Sequence, residues 1–273
     1  MSIPRFSSAT LNKTEFLSAL SDYGFAIVEN VLSEQFCKQV IPELEHAIEQ
    51  EAKFHGTTDY KDYGMLLACP IYGGSFLTVA DNATLMKPFE WVLGDTCIMY
   101  VYTSSSMPPH QTNYSARIHV DRPHFIPGFT ESMGCLILLD AFTEENGATW
   151  ILPKSHTLLE APTEEYFYKN AVRAVAPRGS VLYFNLRIWH AGGQNSTNLW
   201  RHCLGIGMIR PYLKQRIDLP RALKNSNTDL TNLSDYGLQK LGFFSQPPIS
   251  LEEFHAPLEK RTYRQRSEWD KTV

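Results

Sequence analysis

Between residues 96 and 213 the chain falls into seven short strand-like runs bounded by Gly, Pro, Asn and Asp: TCIMYVYT, ARIHVDR, SMGCLILLD, ATWILP, AVRAVA, GSVLYFNL and RHCLGIGMIRPYL. Runs this short, rich in β-branched and aromatic residues and spaced by turn formers, predict an antiparallel sandwich or barrel. A jelly roll is the natural arrangement for that number of strands.

The flanking segments follow a different period. TEFLSALSDYG has apolar residues at helical spacing and ends at Gly24, a plausible helix stop, and FAIVENVL then reads as a strand. In SEQFCKQVIPELEHAIEQEAKF, Phe36, Val40, Leu44, Ala47 and Ile48 share one helical face, with Ser33 as N-cap and Pro42 as a kink. After Pro211 the only further helix-like stretch is DLTNLSDYGLQKLGFF, and the charged last dozen residues read as disordered. The expectation is one domain over 1–273, with a helical part to about 95, a jelly-roll core at about 96–212 and a carboxy-terminal extension at about 213–273.

Composition narrows the partners. A hydrophobic share of 43% and a charged share of 20% suit a globular protein with a real core. The net charge of −4 offers no basic field for a phosphate backbone, so no nucleic acid is expected. Five widely spaced cysteines without a CxxC pair suggest neither a disulfide framework nor a thiolate zinc site. With no signal-like start and no apolar run long enough to span a bilayer, the reading is cytoplasmic, with no membrane partner, as a monomer or homodimer.

The chemistry is concentrated in three places. His119 and Asp121 lie two apart in ARIHVDR, so on a strand both side chains point to one face. His190 ends the apolar run SVLYFNLRIWH, just before Gly192 and Gly193. Two imidazoles and one carboxylate on one side of a metal leave positions open, which suits non-haem Fe(II) oxygen chemistry better than a sulfur-rich zinc site or an oxygen-rich Mg or Ca site. The triplet alone has little weight, because nine histidines among 29 acidic residues produce about one His-x-acid triplet by chance. Its conjunction with His190, and with Arg201 eleven residues further on, carries the argument. The planar fork of Arg201 matches a carboxylate bidentately, and a buried Arg needs such a partner.

These residues resemble the phytanoyl-CoA dioxygenase-like branch of the Fe(II)/2-oxoglutarate dioxygenases. Its ordered motifs are matched here by HVD at 119–121, ENGATWILPKSH at 145–156, WHAGGQNS at 189–196, and Arg201. The resemblance implies a mainly β fold with flanking α-helices on a double-stranded β-helix, cupin-like core. It implies that His119, Asp121 and His190 bind Fe(II), that Arg201 takes the distal carboxylate of 2-oxoglutarate, and that Thr149 adds a hydroxyl hydrogen bond to it. Asn146 and Gly147 read as the turn entering that strand. The implied reaction consumes O2 and 2-oxoglutarate, releases succinate and CO2, and oxidises a C–H bond of a small-molecule substrate, with Asp121 arguing for hydroxylation rather than halogenation.

Two positions depart from the pattern. Lys154 replaces the usual Gly, and Ala116 replaces a Gln that helps hold the co-substrate in many relatives, with Gln111 or Asn113 as substitutes. For the substrate, tyrosine-rich segments around Tyr72 and Tyr102 suit a partly apolar specialised metabolite, and Arg117 shares the inward parity of His119. His110, His124, His156 and His202 read as non-ligands. The competing readings are a non-catalytic jelly-roll ligand-binding protein, which needs no metal triad, and a cupin-type metal-dependent isomerase, which needs no Arg201.

Overall fold

A computed structural model describes residues 3–257, 260 and 261. Its strands are β1 (Arg5–Ser7), β2 (Phe25–Glu29), β3 (Ile98–Ser104), β4 (Ser132–Leu138), β5 (Trp150–Ile151), β6 (Val172–Arg173), β7 (Val181–Asn185), β8 (His190–Ala191) and β9 (Cys203–Ile209). Its helices are α1 (Lys13–Tyr23), α2 (Glu34–His55), α3 (Gly74–Ala80), α4 (Ala83–Leu93), α5 (Glu164–Asn170), α6 (Leu219–Asn225), α7 (Asp235–Leu241) and α8 (Leu251–Phe254). The strands form one six-stranded sheet in the order β1-β2-β7-β4-β9-β3 and one three-stranded sheet in the order β6-β5-β8. The two make a double-stranded β-helix whose larger sheet is backed by helices.

Alternation along the central strands explains the layers. Met133, Cys135 and Ile137 of β4, Val181 and Tyr183 of β7, and Leu204, Ile206 and Met208 of β9 pack into one cluster with Phe16, Val40, Leu44, Phe76 and Phe89 from α1 to α4. The intervening Leu138, Leu182, Phe184 and Cys203 belong to a second cluster inside the barrel, with Phe142, Ala148 and Ile151. The helices start where side chains satisfy free N–H groups: Asn12 Oδ1 accepts from Glu15 N–H, and Ser33 Oγ from Phe36 N–H. Gly24 ends α1 at φ 84°, and α2 runs through Pro42 without interruption.

Several sequence expectations need correction. ARIHVDR forms no ladder strand; residues 114–116 are a 3-10 turn, and the rest is extended chain held by a single bridge between His119 and His190. SVLYFNLRIWH is not one strand either, because β7 stops at Asn185, whose Oδ1 accepts from Arg187 N–H in a turn before β8. Beyond residue 213 the chain forms α6 and α8 as well as the expected α7. The last dozen residues lie outside the described residues. Among the described residues no helix is long and apolar enough to cross a membrane.

Candidate active site

His119 and His190 are brought together by backbone pairing: each N–H donates to the other's carbonyl at 3.0 Å. Asp121 is set by the turn after β7, where Leu186 O accepts from the N–H groups of both Asp121 and Arg122 at 3.0 Å. One ligand atom from each of His119, Asp121 and His190 lies within 4.8 Å of the others. His119 Nε2 stands 3.5 Å from one Asp121 oxygen, and His190 Nε2 stands 3.9 Å from the other.

The outer hydrogen bonds decide which ring nitrogens face inward. His119 Nδ1 lies 2.8 Å from Arg117 O and His190 Nδ1 lies 3.0 Å from Ile188 O. A carbonyl only accepts, so each Nδ1 carries the proton and each Nε2 presents a lone pair. Burial also pushes the pKa of His190 down, favouring the neutral ring. For Asp121, burial acts to raise the pKa, but the charge that either histidine carries when protonated, with that of Arg117, holds the carboxyl below its ordinary value. Two lone pairs and a carboxylate therefore converge with no donor between them, an arrangement that a cation satisfies. The nitrogen and oxygen donor set fits Fe(II).

Arg201 lies on the same cavity and is 1% exposed. Nη1 donates to Gly147 O and Nη2 to Ser105 O, each at 2.7 Å, and the guanidinium lies 4.3 Å from the Phe142 ring centre. Its Nε has no hydrogen-bond partner, and among the described residues no carboxylate pairs with it. Burial lowers its pKa, but a guanidinium stays charged. Such a group fits the carboxylate of a bound co-substrate. Thr149 is buried on the same wall.

The ENGAT turn explains how Arg201 is aimed. Asn146 Oδ1 accepts from Thr143 N–H at 2.8 Å, and Gly147 follows at φ 84°. A Cβ at Gly147 would meet Gly193 O at 2.7 Å. Glycine there lets the β5 entry lie against the turn after β8 and points the Gly147 carbonyl at Arg201. Lys154 occupies the same left-handed region at φ 67°, a conformation that glycine adopts more readily.

The centre opens into a cavity of about 680 Å³ lined by Tyr60, Tyr100, Val101, Thr103, Tyr114 and Arg117 among others. Tyr102, an expected substrate contact, is 0% exposed and lies in the helix-facing core. The cause is a β-bulge: Met99 pairs with Met208 but Val101 with Gly207, so Tyr100 is the extra residue and the parity of β3 reverses. Tyr72 also stands apart from the lining, its hydroxyl donating to Glu51 Oε2 at 3.4 Å. Arg117 does line the cavity. Neither suggested replacement for the missing Gln reaches it: Asn113 Oδ1 accepts from Ser115 N–H and Oγ, its Nδ2 donates to Ser106 O, and Gln111 is exposed.

Ser105, Gly205, Gly207 and Arg216 are among the lining positions that the sequence did not single out. The glycine pair carried a signal, because two glycines at strand spacing inside RHCLGIGMI leave one face without side chains. A Cβ would stand 3.0 Å from Thr103 Oγ1 at Gly205 and 3.2 Å from Val101 Cγ1 at Gly207.

Comparison with known proteins gives a consistent result. Residues 20–203 match the family described as phytanoyl-CoA dioxygenase. An uncharacterised protein of Mycobacterium tuberculosis is 28% identical over 254 residues, covering 90% of this chain and 92% of its own. The iron/alpha-ketoglutarate-dependent dioxygenase penM of Penicillium thymicola is 26% identical over 253 residues, covering 84% and 78%. Among solved structures, EctD from S. alaskensis with 2-oxoglutarate and 5-hydroxyectoine superposes with a TM-score of 0.59 at 17% identity, over 73% of this chain and 76% of that one. At that identity the likeness concerns the fold.

Proposed function

The chain belongs to the phytanoyl-CoA dioxygenase family, and from that premise we propose that His119, Asp121 and His190 hold its iron, that Arg201 and Thr149 seat its co-substrate, and that it hydroxylates a C–H bond of a small, partly apolar specialised metabolite. The enzyme is a 2-oxoglutarate-dependent non-haem iron dioxygenase using Fe(II), 2-oxoglutarate and O2. When bound, the iron with its co-substrate and O2 supplies an oxidative decarboxylation that releases succinate and CO2 and the oxidising power for the C–H bond.

The observation that carries the assignment is the convergence of two Nε2 lone pairs and the Asp121 carboxylate on the floor of a cavity that also holds the unpaired Arg201. The Nδ1 hydrogen bonds fix the orientation of both rings, so neither imidazole has to turn on binding metal. Asp121 occupies the third position, which favours hydroxylation over halide transfer. Arg201, stacked on Phe142 and held by two carbonyls, is placed to receive an anion without moving. We take residues 1–273 as one domain, since Arg216 of the carboxy-terminal extension lines the same cavity.

Anaerobic addition of Fe(II) and 2-oxoglutarate tests this reading. The chelate should give a weak visible charge-transfer band. Tight zinc binding with no such band would sink it.

A further inference from the structure

The cavity carries three cationic side chains beyond Arg201 that no carboxylate among the described residues pairs: Lys61, Arg117 and Arg216. The acidic groups on the same walls are already engaged. Asp62 Oδ1 accepts from Tyr114 N–H at 3.1 Å, and Glu51 Oε2 accepts from the Tyr72 hydroxyl at 3.4 Å. Burial also pushes the Glu51 carboxyl up toward its neutral form. Asp121 faces the two histidines. Arg117 also feels the charge of Asp121, but a chain of net charge −4 still lines its cavity with several cations that form no ion pair among the described residues.

The arrangement of Arg117 shows what those cations suit. Its guanidinium lies 3.9 Å from the Tyr114 ring centre. Stacking uses the face of the guanidinium and leaves its in-plane N–H donors free, the geometry that grips an anion with two parallel hydrogen bonds. Its backbone is fixed, because the Arg117 carbonyl is the acceptor for His119 Nδ1 at 2.8 Å. Arg216 is placed by its N–H bond to Tyr100 O at 2.9 Å, at the bulge in β3. Both side chains are exposed, whereas Arg201 is buried, so the two anion-binding functions are separated by depth.

We propose that Arg117 and Arg216 bind an anionic group of the substrate, a carboxylate or a phosphate, making the substrate a small organic acid or phosphate ester whose apolar body lies against Met65, Leu67, Leu136 and Phe184. The inference rests on the site reading above and adds the substrate class. An anion held by Arg117 would lie in the same cavity as the metal ligands.

The test is calorimetry under anaerobic conditions on protein saturated with Fe(II) and 2-oxoglutarate, with octanoate, octyl phosphate and octanamide as probes of one chain length. One of the two anions should bind on the order of ten-fold tighter than the neutral amide, and the tighter one identifies carboxylate or phosphate. The double variant R117Q/R216Q should lose that preference while keeping its affinity for octanamide. Equal affinity for all three probes, no binding of any at millimolar concentration, or a preference that survives in the double variant overturns the proposal. The visible band, read on the same samples, keeps two failures apart. A band without anion preference removes the substrate class and leaves the site, and anion preference without a band does the reverse.

Discussion

The six-stranded and three-stranded sheets enclose one cavity but are held together differently. In the larger sheet, β4 pairs with β9 from Ser132↔Ile209 to Leu138↔Cys203, and with β7 from Met133↔Asn185 to Ile137↔Val181. In the smaller, β5 meets β8 only through Trp150↔Ala191 and Ile151↔His190. Side chains do the remaining work there: Ser155 Oγ accepts from Trp189 N–H at 2.8 Å, and Asn195 Nδ2 donates to Pro108 O at 3.0 Å. Long ladders give a rigid wall whose side chains are bound to strict alternation. Short pieces joined by turns let each side chain be aimed separately, and this is where His119, Asp121, His190 and the carbonyl that holds Arg201 are found.

The sharpest way to break this comparison is to separate chemistry from stability. Asp121→Ala should lower succinate formation on the order of a thousand-fold through loss of a metal ligand, with the melting temperature of the metal-free protein nearly unchanged. A large drop in that temperature would show that the centre also holds the fold. The converse is Tyr183→Ala. Tyr183 is fully buried, donates to Leu85 O at 2.8 Å, and meets Phe16 and Phe89 edge-on. Its loss should cost about 3–5 kcal/mol in denaturant unfolding, while the molecules that fold keep their visible band.

Arg201→Ala falls between the two. It should raise the 2-oxoglutarate concentration needed for half-maximal turnover by roughly ten- to a hundred-fold, the worth of a charge-assisted pair. Because it orphans the carbonyls of Gly147 and Ser105, it should also cost about 1–3 kcal/mol of stability. Unchanged 2-oxoglutarate dependence would remove Arg201 from the co-substrate site.

Acid should act on the larger sheet first, through Asp140, which follows β4. Burial by itself would raise its pKa, but hydrogen bonds from His202 and Arg178 take it down to about 2 from 3.8. A carboxyl depressed on folding contributes stability above its unfolded pKa and loses it as pH falls toward the folded one. About 2 kcal/mol should therefore disappear between roughly pH 4 and pH 2, and urea midpoints of Asp140→Asn should be flatter over that window. The smallest effect belongs to Lys154→Gly. Relieving a left-handed lysine should stabilise the protein by about 0.5–1 kcal/mol with no change in turnover.

What the sequence made legible follows the same division. The ladder strands β4, β7 and β9 were readable because burial on both faces leaves apolar runs bounded by turn formers. The triad and Arg201 were readable as an ordered set of residue types, although the strand expected around His119 is extended chain held by one bridge. Its alternation survives because an extended chain turns successive side chains outward and inward with or without a partner. Tyr102 could not be placed, since a bulge adds no residue type of its own and is visible only in the register with β9. Arg216 lies far along the chain and reaches the cavity through a backbone bond to Tyr100, which no local pattern encodes.

The glycine pair in β9 carries a different kind of consequence. Gly205 and Gly207 leave space on the inner wall, and a methyl group at either would come within 3.0–3.2 Å of Thr103 or Val101. The metal ligands and Arg201 lie elsewhere, so the room available to a substrate can change while the reaction machinery stays as it is. Every glycine codon is one base away from an alanine codon and from a valine codon. A single base change can therefore set a methyl group on this wall, where Thr103 or Val101 would have to give way by a few tenths of an ångström to accept it.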